Sequence, residues 1–192
     1  PTSSYASIMR NVSGIPKGIV AGMIDNSLSG ELEIPYGTTK IPMYKFYHCE
    51  KITSAHLPDT VSSIESYAFT NCERMKTINI PHGVTTLINY TFGYCYELEN
   101  VSIPNTITHM ENAVFAACNS LKNVTIEDGF NANNLSLQNS SKYTADTIVG
   151  CLNALADRTG RSAYTFIIGS INLNKLTPEQ IAIATNKNWN LV

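Results

Sequence analysis

The feature that most constrains this chain is a 23-residue self-similarity through its middle. Pro35, Pro58, Pro81 and Pro104 keep that interval, as do Phe46, Phe69, Phe92 and Phe115, and Cys49, Cys72, Cys95 and Cys118. Apolar positions hold the same register: Ile41, Ile64, Leu87 and Met110 share one slot, and Ile52, Met75, Leu98 and Leu121 another. Ala55, Ile78, Val101 and Val124 form a third slot, and Leu57, Ile80, Ile103 and Ile126 a fourth. A fixed period of this length is the signature of a solenoid, in which one unit cannot bury its apolar side alone and stacked units share a continuous core.

Each unit reads as one coil. The segment 98–103 ends in alternating apolar and polar residues, as a short strand does, and Pro104 stops it because proline cannot donate into a sheet ladder. The stretch 107–118 must wrap back to begin the next strand. Stacked coils then place all strands parallel, with equivalent residues roughly 4.8 Å apart. At that spacing the four phenylalanines are expected to form an offset aromatic stack inside the solenoid. The four cysteines point the same way in a ladder, whereas a disulfide needs facing Cβ atoms about 3.8 Å apart, so all the thiols are expected to be unbridged and the ladder thiols buried.

Composition sets limits on partners. Hydrophobic residues are 43% and charged residues 15% of 192, with a net charge of −2, so the chain is globular and lacks the basic field of a nucleic-acid binder. No apolar run approaches the roughly 20 residues of a membrane-spanning helix, so no membrane insertion is expected. The first ten residues lack the basic start and apolar stretch of a secretory signal. The chain opens on Pro1 rather than Met, as a trimmed or mature form would, so that lack says little about compartment.

The pattern Ile103-Pro104-x-x-Ile107-x-x-Met110-x-x-x-Val114-Phe115-x-x-Cys118-x-x-Leu121-x-x-Val124 resembles the BspA-type leucine-rich repeat, over residues 34–126. The family's Ala-Phe pair stands as Ala68-Phe69 and is altered to Lys45-Phe46, Thr91-Phe92 and Val114-Phe115. The glycine often found after the isoleucine slot is replaced by Pro42, Glu65, Ile88 and Glu111. The resemblance implies a repeat solenoid, a right-handed leucine-rich-repeat coil with a curved parallel β-sheet. It also implies a secreted or cell-surface protein, bacterial, that contacts host proteins, matrix or neighbouring cells.

Three regions follow. Residues 1–33 are expected to form an N-terminal cap with a degenerate repeat: Met23 and Asn26 fall in the Phe and Cys slots, Leu32 and Ile34 in strand slots, and Tyr5, Ile8 and Met9 suggest a short helix. Residues 34–126 carry four repeats. Residues 127–192 break the period and alternate strands with helices, giving a mixed α/β C-terminal cap expected to continue the sheet, with a separate domain as the alternative. Strands are expected at Leu135 and Leu137, over 164–168 and over 189–192; helices at 144–157, starting from Thr144, and after the cap Thr177-Pro178-Glu179-Gln180.

Candidate chemistry is sparse. The cysteine spacing is the repeat spacing, with no C-x-x-C pair for zinc, and Cys151 sits on the apolar face of a helix. His48, His56, His82 and His109 occupy four different slots, and adjacency of His48 and Cys49 does not make a dyad. No phosphate loop, G-x-S-x-G or H-E-x-x-H is present. The reading is therefore no catalytic residues, no metal, no cofactor and no enzyme. The N-x-[ST] triplets Asn100-Val101-Ser102 and Asn123-Val124-Thr125 lie inside expected strands and argue against glycosylation there.

The remaining surface is the concave sheet face. Its outward positions are expected to be Glu31, Ser54, Thr77, Asn100 and Asn123 in one row, and Glu33, His56, Asn79, Ser102 and Thr125 in a second. From these, Ser54, His56, Thr77, Asn79, Asn100, Ser102, Asn123 and Thr125 are the candidate binding residues, for a protein or glycan at a cell surface. The alternative is a structural spacer or assembly module without a specific ligand. Asn112 and Asn119, on the return path, are expected to be uninvolved.

Overall fold

The computed structural model describes residues 27–111 and 113–192. The expected N-terminal helix, and the Met23 and Asn26 slots, lie outside those residues. Within them the period becomes a coil. One strand per coil, β1 (Ser29–Glu33), β3 (Lys51–His56), β5 (Thr77–Asn79), β7 (Asn100–Ile103) and β9 (Asn123–Ile126), stacks into a five-stranded sheet in that order. All pairings are parallel, and the shared slot Leu32, Ala55, Ile78, Val101 and Val124 aligns residue for residue. These side chains are all buried.

Each proline opens a turn out of the sheet. The N–H groups of Thr38, Val61, Val84 and Ile107 donate to the carbonyls of Pro35, Pro58, Pro81 and Pro104 at 2.9–3.3 Å. The path back holds two-residue strands that the sequence pattern does not announce: β2 (Lys40–Ile41) pairs with β4 (Ser63–Ile64), and β6 (Thr86–Leu87) with β8 (His109–Met110). Between the two sheet sides lies the core, and its axis is the phenylalanine stack. Centroids of Phe46, Phe69, Phe92 and Phe115 are 5.0, 5.8 and 5.6 Å apart, with planes 22°, 25° and 16° from parallel.

The cysteine ladder beside it is more than a row of small apolar groups. The thiols of Cys72, Cys95 and Cys118 donate to the carbonyls of Phe46, Phe69 and Phe92 in the preceding coil, at 3.2, 3.2 and 3.1 Å. The Phe46 and Phe69 carbonyls also accept the turn N–H groups of Cys49 and Cys72, at 3.2 and 3.3 Å, and a weak S–H donor suits the remaining lone pair of a buried acceptor. All five cysteines are buried and none is in a disulfide. Burial pushes the Cys72 and Cys95 thiols far up, and Cys151 to about 12.

The C-terminal segment forms elements close to those expected, but arranges them differently. The strands β10 (Leu135–Ser136), β11 (Tyr164–Ile167) and β12 (Trp189–Leu191) make a parallel sheet of their own and do not extend the five-stranded one. What lies against the last repeat strand is helix α1 (Ala145–Ala154), packed on β9. Cys151 donates its S–H to the Val124 carbonyl at 3.5 Å, and Thr147 its hydroxyl to the Lys122 carbonyl at 3.4 Å. The reason is local: Thr144 caps the Thr147 N–H, and a helix satisfies its own backbone, so it can end a ladder without offering a new edge. The separate sheet instead adjoins the return side, where Asn133 bridges His109.

A short helix, α2 (Ser170–Leu173), and a longer one, α3 (Pro178–Asn186), complete the segment. Thr177 and Gln180 form a reciprocal capping box at the start of α3. Lys187 at its end donates to the carbonyls of Leu152, Asn153 and Leu155, closing the C-terminus of α1. Buried apolar residues run in one cluster from Leu28 to Trp189.

Deleting residues 127–192 removes α1 and bares the edge of β9, so the shortened chain is expected to aggregate or oligomerise on size-exclusion chromatography. A stable monomer with an unchanged melting temperature would show an independent C-terminal domain instead. Thiol titration of the native protein is expected to label Cys72 and Cys95 only on global unfolding; rapid labelling at neutral pH would contradict the ladder.

Candidate functional site

The outer face of the five-stranded sheet carries both expected rows in register. Strand pairing places Glu31 beside Ser54, Ser54 beside Thr77, Thr77 beside Asn100 and Asn100 beside Asn123. In the second row Glu33 lies beside His56, Asn79 beside Ser102, and Ser102 beside Thr125. Alternation explains this: the buried slot between the rows turns its neighbours outward.

The rows are not uniform. Ser54 is buried, 6% exposed, and its hydroxyl has no hydrogen-bond partner among the described residues, so it is not the solvent-facing group expected. Its strand meets β1 across a register shift between Gly30 and Glu31, where the even spacing of the ladder is lost. Asn79 is exposed, but its carboxamide is spent on the preceding coil: it accepts from the Leu57 N–H at 2.9 Å and donates to the Leu57 carbonyl at 2.7 Å. Asn123 donates to the Asn100 side-chain oxygen at 2.7 Å, an amide pair along the ladder. His56 stands 3.9 Å from Glu33, both exposed. Thr77, Ser102 and Thr125 are exposed. Asn119 on the return path is exposed too, and Asn112 lies outside the described residues.

The histidines do not converge. His48 contacts Glu50, with Nδ1 3.3 Å from Oε1, and His82 contacts Glu127, with Nε2 2.8 Å from Oε1. Among the described residues no cluster of three or more His, Cys, Asp or Glu side chains could hold a metal ion, and no helix is long and apolar enough to cross a membrane.

A further ladder escaped the reading of the polar rows although its spacing was visible. Tyr44, Tyr67 and Tyr90 are 23 residues apart, in the turn that leads from each return strand back to the sheet. Their rings stack at 5.1 and 5.6 Å, with planes 17° and 13° apart. With Tyr47, Thr70, Asn71 and Tyr94 they line an open cavity of about 270 Å³. All three ladder tyrosines have positive φ, 59°, 59° and 55°, as do His48, Asn71, Tyr94 and Ala117 four residues further along each coil. A bulky residue in that conformation costs of order 1–3 kcal/mol, and glycine or asparagine would sit there more easily.

Two of the departures from the repeat pattern brace these turns. Glu65 accepts the Met43 N–H at 2.9 Å and Glu111 the Asn89 N–H at 2.7 Å, in each case the residue just before a ladder tyrosine. Lys40 pairs with Glu65 at 2.6 Å. Burial raises the Glu65 carboxyl, but the Lys40 hydrogen bond, the Met43 N–H and the lysine charge outweigh it and hold the group below its ordinary value.

Among solved structures, the chain is similar to a leucine-rich repeat protein from Bacteroides ovatus, at 21% identity and a TM-score of 0.44, over 72% of this chain and 42% of that one. It is also similar to a leucine rich cell surface protein from Faecalibacterium prausnitzii, at 16% identity and a TM-score of 0.28, over 85% and 60%. The chain thus spans about two fifths to three fifths of those proteins. No curated protein matches the sequence. A family model described as the BspA type leucine rich repeat region matches six copies across residues 24–144, more copies than the four regular repeats, because it also takes in the coils at either end of them. With more than half its length matched and each regular coil built on the same Phe and Cys slots, the chain belongs to the BspA-type leucine-rich repeat family.

Proposed function

We propose that this chain is a binding or adhesion module of a bacterial cell-surface protein, recognising protein or glycan through the outer face of its five-stranded sheet. The observation that carries this is the in-register row of short uncharged side chains, Thr77, Asn100 and Asn123, beside Ser102 and Thr125, on strands fixed from beneath by a packed core. Strands held this way lose little entropy on binding, so modest hydrogen bonds can count. Family membership supports the surface location, and solenoids use extended sheet faces for recognition.

A second reading, a spacer without a specific ligand, draws on the self-contained part of the face: Ser54 is buried, Asn79 is committed to Leu57, and Asn100 and Asn123 bond each other. The two readings part on a binding screen. The protein is applied to immobilised extracellular-matrix proteins and to a glycan array. A ligand found there is expected to be lost when Thr77, Asn100, Ser102 and Asn123 are changed together to Lys, and kept in Asn119→Lys. Sensitivity at Asn119 with a silent sheet face would contradict the assignment, and no ligand at all would favour the spacer.

Asn79 is left out of that set for a physical reason. Replacing it strands the Leu57 N–H and carbonyl, so Asn79→Ala is expected to lower stability by about 1–3 kcal/mol in urea unfolding, whereas Ser102→Ala changes it by less than about 0.5 kcal/mol. Equal effects would mean that Asn79 does not brace the coils.

A further inference from the structure

We infer that the tyrosine-lined groove on the turn side of the coils is a second binding site, for an uncharged polysaccharide chain lying along the solenoid axis. The inference stands apart from the sheet-face reading and does not depend on it.

The lining is free of formal charge. The lining is the three stacked rings Tyr44, Tyr67 and Tyr90 together with Tyr47, Tyr94, Thr70 and Asn71. Tyr47 meets Tyr44 nearly edge-on, with planes 83° apart and centroids 5.3 Å apart. Tyr94 continues the stack from Tyr90 at 6.0 Å. Tyr44 and Tyr94 are 37% and 39% exposed, large aromatic surfaces in contact with solvent.

Polar capacity is left over as well. The five phenol hydroxyls have no hydrogen-bond partner among the described residues, so each can both donate and accept. Asn71 donates to His48 Nε2 at 2.7 Å, and His48 contacts Glu50 in turn, while the Asn71 carboxamide oxygen has no hydrogen-bond partner among the described residues. Stacked rings present their edges and phenol hydroxyls, and these groups, with the amide and no formal charge, match the closely spaced hydroxyls of a neutral sugar chain. They match an anionic polymer poorly, since no lysine or arginine lines the groove.

Spacing points to a polymer rather than a single sugar. The phenols repeat at the coil interval of 5.1 and 5.6 Å, and an extended chain of pyranose rings advances by a comparable length per residue. At about 270 Å³ the cavity is below the size of an ordinary small-molecule site, so it would take one or two rings of a longer, solvent-exposed chain.

The groove is also built rather than incidental. Tyrosine occupies a left-handed backbone position three coils in a row, and Glu65 and Glu111 hold the preceding N–H groups. A Cβ on Gly93 would come within 2.8 Å of the Tyr90 ring, so glycine there leaves room for that ring. The slot that holds Tyr47 holds the smaller Thr70 and Gly93 in the next two coils.

The test is native affinity electrophoresis of the whole chain in gels with and without hydroxyethyl cellulose, mixed-linkage β-glucan or β-mannan. Retardation in at least one is expected. The double variant Tyr47→Thr with Tyr94→Asn is expected to weaken it at least tenfold. Both changes copy residues already present in the same slots of the neighbouring coil, Thr70 and Asn71, so the fold should tolerate them, and neither alters charge. If that variant fails to fold, Tyr44→Phe with Tyr67→Phe removes only hydroxyls and should still weaken retardation severalfold. The sheet-face lysine variant should be retarded like the parent, relative to its own mobility without polymer. No retardation in any of the three gels would overturn the proposal. So would retardation unchanged by both tyrosine variants, or a groove that binds polyproline peptide in preference to the sugars.

Discussion

Each coil must return to the same point, one strand spacing further along, and the interior contacts that enforce this are the phenylalanine stack and the thiol-to-carbonyl bonds beside it. A phenylalanine ring can meet its neighbours at 5.0–5.8 Å only if the intervening chain always uses the same number of residues. The Cys72, Cys95 and Cys118 thiols add a directional link from each coil to the carbonyl of the preceding one. Burying each ring is worth about 1.5–3 kcal/mol, so the stack is a main contributor to the core as well as its ruler.

Register inside dictates register outside. Because the buried slot aligns from Leu32 to Val124, polar residues on the sheet face fall into rows. Because the turn out of each return strand is the same turn, its left-handed positions also recur and line up a second set of side chains. The solenoid therefore offers two ordered surfaces on one core, one of short hydroxyls and amides on the sheet, the other of aromatic rings in the turns leading back to it.

Much of this was legible in the sequence because a long period averages over local ambiguity. The strands, the buried cysteines, the two rows and the capped helices after Thr144 and Thr177 all follow from spacing and cap chemistry. Contributions that depend on what lies across from a residue were not legible. Ser54 has the same spacing as Thr77 but is buried. Asn79 has the same chemistry as Asn100 but spends it on Leu57. The return strands are two residues long, too short to alternate. Helix α1 takes the place of a sixth strand because Thr144 caps it and Ile148, Cys151 and Leu152 recur at helical spacing to bury one face, and the repeat period carries no information once it ends. The tyrosine ladder was visible as a spacing, yet its meaning came from the backbone conformation and from glutamates reaching across one coil.

The claim that ring stacking couples successive coils is tested most directly by a double-mutant cycle in urea unfolding, using Phe69→Leu, Phe92→Leu and the pair together. If the stack links the coils, the two changes interact, with a coupling of about 0.5–1.5 kcal/mol beyond the sum of the single effects. Additivity within roughly 0.3 kcal/mol would mean that the rings only fill space, and that the register is set elsewhere.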